Sequence, residues 1–196
     1  MLLSIAVYAK PETKVKISPS IAYIYVYHKG KAVKIERIQD MQHKLTGEYA
    51  KTYRPGQYIQ PIKLKSPVET IGEIEVIDFM RNRVNKKTGL IIDVRNQSSF
   101  KKEAIPSAVN IPVDIADYHE TMLKIFHSLG MKRKANGKWD GTDAMELLIY
   151  SDGMWCKKSP EFIEKIVALG YPTDKIKYYR GGFQMWKILG LTTVKN

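Results

Sequence analysis

Only one cysteine, Cys156, occurs among the 196 residues. A single thiol excludes an intramolecular disulfide and leaves the redox compartment open. Long apolar runs are also missing. The run from Leu2 to Ala9 in "MLLSIAVYAK" is far too short to cross a bilayer, so no membrane span is expected. Acidic side chains are outnumbered, 20 Asp and Glu against 32 Lys and Arg, for a net charge of +12. That excess invites a nucleic-acid reading, but it is spread along the chain. Its densest pieces, "MRNRVNKK" and "MKRKANGK", read as loops between elements, and no nucleic-acid motif accompanies them. A basic surface that draws in small anions is expected instead, and no nucleic-acid partner. Metal-ligand spacing is lacking too. His43 has no second ligand nearby, and His119 and His127 stand eight apart in a helical stretch, so no metal site is expected. Internal repeats and low-complexity tracts do not occur.

Apolar residues make up 44% of the chain and aromatics 10%, enough for one folded core with length left for an accessory segment. The N-terminal run ends in a small residue, Ala9, as a secretory signal does, without the positive region that should precede it. It reads as the remnant of a signal over 1–9, which places the protein in the periplasm or outside the cell. The alternative is a buried terminal strand in a cytoplasmic protein.

Residues 21–38, "IAYIYVYHKGKAVKIERI", predict two strands joined at Lys29-Gly30, with alternation clearest in the second arm at Val33 and Ile35. Residues 39–67 lose periodicity and gather Gly47, Pro55, Gly56, Pro61 and Pro67, the composition of an irregular connector. Residues 10–67 are thus expected to form an N-terminal extension built on a β-hairpin. Thr70 with Glu73 has capping-box spacing, and Ile71, Ile74, Ile77, Met80 and Val84 form a helical stripe behind it. Thereafter strands and helices alternate: "LIIDV", "AVNIP", a helix over 119–129, the basic turn "KRKANGKWDGT", "ELLIY", a helix after Pro160, "KIKYY", and a short helix over 184–189. Alternation of this kind predicts an α/β fold, a parallel sheet with helices on both faces.

Two stretches carry a family resemblance. "LIIDVRNQSSFKKEAIPSAVNIP" resembles the opening signature of rhodanese domains through Asp93, Val94, Arg95, Phe100, Ile105, Pro106, Ala108, Asn110, Ile111 and Pro112. "YYRGGFQMWKILGL" resembles their closing signature through Gly181, Gly182, Phe183, Trp186 and Gly190. The resemblance implies a rhodanese-like domain over 68–196. Read from their position alone, Asp93 and Arg95 lie at the C-terminal end of a strand, where open α/β sheets place their sites. Their expected role is structural support of the site, as an ion pair that orders the following loop.

In the family, the nucleophilic cysteine directly follows the central strand, and loop amides wrap its sulfur. Here "LLIYSDGMWCKKSPEF" puts Ser151 at that place, and a hydroxyl cannot carry a persulfide. Cys156, five residues into the loop, is the candidate to take over. Ser159 as N-cap and Pro160 as first helical residue would aim the positive end of a helix at the loop, and Lys157 and Lys158 add charge. All three features favour thiolate over thiol. The opposing reading is a small buried hydrophobe, covered by Met154 and Trp155.

The resemblance implies sulfane-sulfur transfer from a small anionic donor, thiosulfate or a persulfide, to a thiol or protein acceptor, without cofactor. Cys156 would be the carrier, and Asp152, Gly153, Met154, Trp155, Lys157, Lys158, Ser159 and Arg180 would bind the donor. Phosphatases and arsenate reductases of the same fold begin this loop with cysteine and end it with arginine. This loop does neither, which argues against an oxyanion clamp. The alternative is a silent rhodanese-like binding module that keeps the pocket and has lost the nucleophile.

Overall fold

The computed structural model describes residues 14–52 and 58–196. The apolar run Leu2 to Ala9, and Pro55 and Gly56 of the connector, lie outside the described residues.

Strands β1 (Tyr23–His28) and β2 (Lys31–Glu36) form the expected antiparallel hairpin. Its two turn residues, Lys29 and Gly30, both have positive φ, the geometry that matches the twist of the paired strands. Alternation is sharper in the first arm, where Ile24 and Val26 point inward between exposed Tyr23, Tyr25 and Tyr27. The hairpin is stitched to the end of the chain: the Ile38 amide donates to Gly190, and the Thr192 amide donates to Glu36.

The central sheet has five parallel strands in the order β3-β9-β8-β4-β5: β3 (Glu69–Ile71), β4 (Gly89–Asp93), β5 (Ala108–Asn110), β8 (Glu146–Tyr150) and β9 (Ile176–Tyr179). Successive residues of β8 feed opposite faces. Leu148 and Tyr150 join α1 (Glu73–Phe79), α5 (Gly182–Ile188) and the hairpin, whereas Leu147 and Ile149 join α3 (His119–Ser128) and α4 (Lys158–Ala168). A strand buried on both faces has no reason to alternate polar with apolar, which is why these runs read as continuous. A short helix α2 (Gln97–Lys102) and a small ribbon, β6 (Lys132–Arg133) with β7 (Trp139–Asp140), complete the described elements.

Two expectations near helix starts are corrected. Thr70 is no cap; it lies in β3 beside Tyr178 of β9, and its hydroxyl donates to the Ile62 carbonyl. The reciprocal contact belongs to Gly72, whose amide donates to Glu75 Oε2 at 3.0 Å. Helix α1 then buries Val76 and Ile77 and leaves Ile74 exposed, before a π turn over Met80–Val84. Helix α4 likewise begins earlier than expected, with Lys157 before its first residue. Ser159 and Pro160 are therefore its second and third residues. Proline fits there because the amides of a first turn have no intrahelical acceptor.

Candidate functional site around the loop after the central strand

The C-terminal ends of β4 and β8 meet at one edge of the sheet, and a buried polar network fixes both. Arg95 and Asp93 are 1% and 0% exposed. The guanidinium donates to both carboxylate oxygens, Nη2 to Oδ2 at 2.7 Å, and its Nη2 also reaches the Glu103 carbonyl at 2.7 Å. Tyr150 donates to Asp93 Oδ2 at 2.7 Å and accepts from the Ile105 amide at 3.2 Å. Burial would lower the Arg95 pKa, but the Asp93 carboxylate lifts it above its usual value. Burial and the same carboxylate push the Tyr150 phenol well up. Every member has a partner, which a buried charge pair requires. Asp93 and Arg95 thus form an ion pair at the strand end.

From Tyr150 the chain turns into the loop 151–157, and two glycines shape it. At Gly182 φ is +61°, and a Cβ there would stand 2.6 Å from the Ser151 carbonyl oxygen and 2.8 Å from the Gly153 nitrogen. Only glycine lets the start of α5 come this close. The amides of Phe183 and Gln184 then donate to the carbonyls of Ser151 and Asp152, both at 2.9 Å. At Gly153 a Cβ would meet the Trp155 indole at 2.6 Å, so the ring folds back over the loop backbone. The Cys156 amide donates to the Gly153 carbonyl at 2.9 Å and closes the turn.

This turn carries the sulfur back to the start of the loop. Cys156 is 5% exposed. The Ser151 hydroxyl and the amides of Lys158 and Asp152 face its sulfur, and the thiol donates to Asp152 Oδ2 at 3.4 Å. Ser151 and Cys156, five positions apart, are therefore side by side. Ser159, next after the Lys158 amide, is fully buried with a hydroxyl that has no partner among the described residues. An N-capping role for it is corrected accordingly.

The expectation of a favoured thiolate is also corrected. Burial pushes the Cys156 pKa up, against the pull of Ser151 and Lys158, and the Asp152 charge adds to the rise. Both lysines are engaged in ion pairs. Lys157 pairs with Glu161 at 3.0 Å, and Lys158 pairs with Asp152 at 3.5 Å. Arg180 donates through its Nε and Nη2 to the Gln60 carbonyl at 2.8 and 2.7 Å.

That last contact exposes what sequence reasoning missed. The Gln60 amide donates to the Met154 carbonyl at 2.8 Å, so the connector straps the thiol loop. No periodic signal marks Gln60. Tyr150 was legible only as a strand end. The stretch with His119 and His127 packs on the α4 face, where His127 lies edge-on to Trp139. Among the described residues no cluster of His, Cys, Asp and Glu could hold a metal ion, and no helix is long and apolar enough to cross a membrane.

Comparison with protein families matches residues 77–189 to the rhodanese-like domain. No curated protein matches the chain. Among solved structures, a Bacillus halodurans protein is 17% identical with a TM-score of 0.47, covering 64% of this chain and 76% of its own. The rhodanese-like domain of an Anabaena protein is 17% identical with a TM-score of 0.44, covering 67% of this chain and 80% of its own. A thiosulfate sulfurtransferase of Pseudomonas aeruginosa is 15% identical with a TM-score of 0.47, covering 65% of this chain and 20% of its own.

Proposed function

The chain belongs to the rhodanese-like domain family, and we propose that it transfers sulfane sulfur through a persulfide on Cys156. The observation that carries this reading is the place of the sulfur. The turn at Gly153 returns it to the mouth of the loop, where the Ser151 hydroxyl and two backbone amides face it. Fixed donors aimed at a sulfur stabilise the charge that develops on it during transfer.

In the first step the Cys156 thiolate attacks the outer sulfur of thiosulfate or of a small persulfide. A bond forms between the two sulfurs, and sulfite or a thiolate leaves with the electron pair of the broken bond. A thiol, free or on a partner protein, then attacks the outer sulfur of the Cys156 persulfide and regenerates the thiolate. The cycle needs no cofactor. Ser151 serves as a hydrogen-bond donor in it and carries no sulfur.

Deep burial of Cys156 and its raised pKa favour a second reading, a binding module without turnover. Intact mass separates the two. Wild-type protein treated with thiosulfate or glutathione persulfide is expected to gain one sulfur atom that cyanide strips, and Cys156→Ala is expected to gain none. Absence of the sulfur adduct with both donors leaves the binding module.

A further inference from the structure

The charges around Cys156 bear on which donor it takes, an inference that rests on the proposed sulfur transfer. Asp152 Oδ2 is the charged atom in contact with the sulfur, at 3.4 Å. Among the described residues the ammonium beside it is Lys158 Nζ, 3.5 Å from that same oxygen, and the Arg95 guanidinium acts on Asp152 through space. Lys157 is turned to Glu161, Arg95 is bound in its pair with Asp93, and Arg180 is held by the Gln60 carbonyl. From β9 the neighbour is Tyr178, a phenol that burial pushes up to about 12 and that is neutral at physiological pH.

A dianion arriving at the sulfur thus meets a carboxylate at contact distance, while the cations that act on that carboxylate, Lys158 and Arg95, are already paired. The net +12 of the whole chain does not offset this, because charges more than about 8 Å away are screened at physiological salt. Half-buried Met154 and Trp155 offer apolar surface on the same loop. We propose that Asp152 makes the site select singly charged organic sulfane donors, such as an organic persulfide or thiosulfonate, over the thiosulfate dianion. With a thiosulfonate, the Cys156 thiolate attacks the terminal sulfur and a sulfinate leaves with the bonding pair. One negative charge departs on the sulfinate and one stays on the Cys156 persulfide. With thiosulfate the same step expels sulfite with two charges.

The test compares methanethiosulfonate with thiosulfate, which break the same kind of bond and differ by one charge. Single-turnover sulfur loading is followed by intact mass in wild type, Asp152→Asn and Lys158→Ala, with Cys156→Ala as blank. Asp152→Asn is expected to raise the ratio of thiosulfate to thiosulfonate rates by on the order of tenfold, since the lost charge acts once more on the dianion. Lys158→Ala is expected to lower it. A ratio that moves less than twofold in Asp152→Asn overturns the proposal.

A second measurement separates this failure from failure of sulfur transfer itself. Alkylation of Cys156 by iodoacetate and by neutral iodoacetamide needs no sulfur chemistry, and their rate ratio reads the same charge. Asp152→Asn is expected to raise the iodoacetate to iodoacetamide ratio several-fold even if no donor loads the protein. An unchanged alkylation ratio overturns the charge filter whatever the loading assay gives.

Discussion

Tyr150 and Asp93 stand opposite each other in the register of β8 and β4, and the Tyr150 hydroxyl donates to Asp93 Oδ2 at 2.7 Å. The same hydroxyl accepts from the Ile105 amide, so one buried oxygen ties together two strand ends and the segment before β5. The thiol loop leaves from this tie, which couples its position to the buried polar network.

Removing that oxygen tests the coupling. Tyr150→Phe is expected to cost about 1–3 kcal/mol, because the Ile105 amide and Asp93 lose a buried partner without a cavity opening. Urea unfolding measures it, and a loss under 0.5 kcal/mol, on the order of a typical surface change, would contradict the account.

Asp93→Ala should be worse. It leaves Arg95 charged and buried with no counter-ion, a change of about 3–5 kcal/mol. The double variant Asp93→Ala with Arg95→Met removes the stranded charge, and its unfolding free energy is expected to recover part of the loss. Strict additivity of the two substitutions would show that the pair is not coupled.

Gly182→Ala places a methyl group 2.6 Å from the Ser151 carbonyl oxygen at a φ of +61°. The predicted result is destabilisation by about 1–3 kcal/mol together with a shift of the loop. Faster hydrogen exchange at the amides of Phe183 and Gln184, which donate into that loop, is the reading that checks it.

The pH behaviour of Cys156 follows from its raised pKa. Iodoacetamide labelling is expected to be slower than that of a free thiol at neutral pH and to have its midpoint above that of a free thiol. Ser151→Ala removes one donor to the sulfur and should move that midpoint higher still. For stability the sign is fixed by linkage: the folded thiol keeps its proton where the unfolded one has lost it. Its contribution is therefore whole below the unfolded pKa and is lost as pH rises through the folded value. Cys156→Ala should flatten that part of the stability profile, and an equal slope in both proteins would remove Cys156 as its cause.

Arg180→Ala releases the Gln60 carbonyl and, with it, the strap over the loop. Faster exchange of the Gln60 amide and quicker alkylation of Cys156 are expected, at a cost in stability of about 0.5–1.5 kcal/mol for the lost bonds. Unaltered alkylation would mean that the strap does not govern access to the thiol.

The parallel strands were legible in the sequence because a strand covered on both faces must be apolar throughout, and the hairpin because Lys29-Gly30 separates two β-rich arms. The start of α1 was misread for a local reason. Thr70 and Glu73 have the spacing of a cap, but Thr70 is held in a strand by β9, a partner more than a hundred residues away. Pairing at that distance leaves no local trace. Ser159 was misread similarly, since the helix extends back to Lys158 once the turn at Gly153 sets its entry.

By itself, the sequence determined that this chain is an α/β domain with a single thiol in the loop after a central strand, and with Ser151 where the strand ends. Element order, strand chemistry and residue identity are local properties, and local patterns carry them. Only the tertiary structure decided that Ser151 and Cys156 are neighbours, that Asp152 sits on the thiol, and that Arg180 and Gln60 close a strap above it. Those relations depend on where a loop turns and how deeply it is buried, and the balance between burial and charge at Cys156 exists only once the chain has folded.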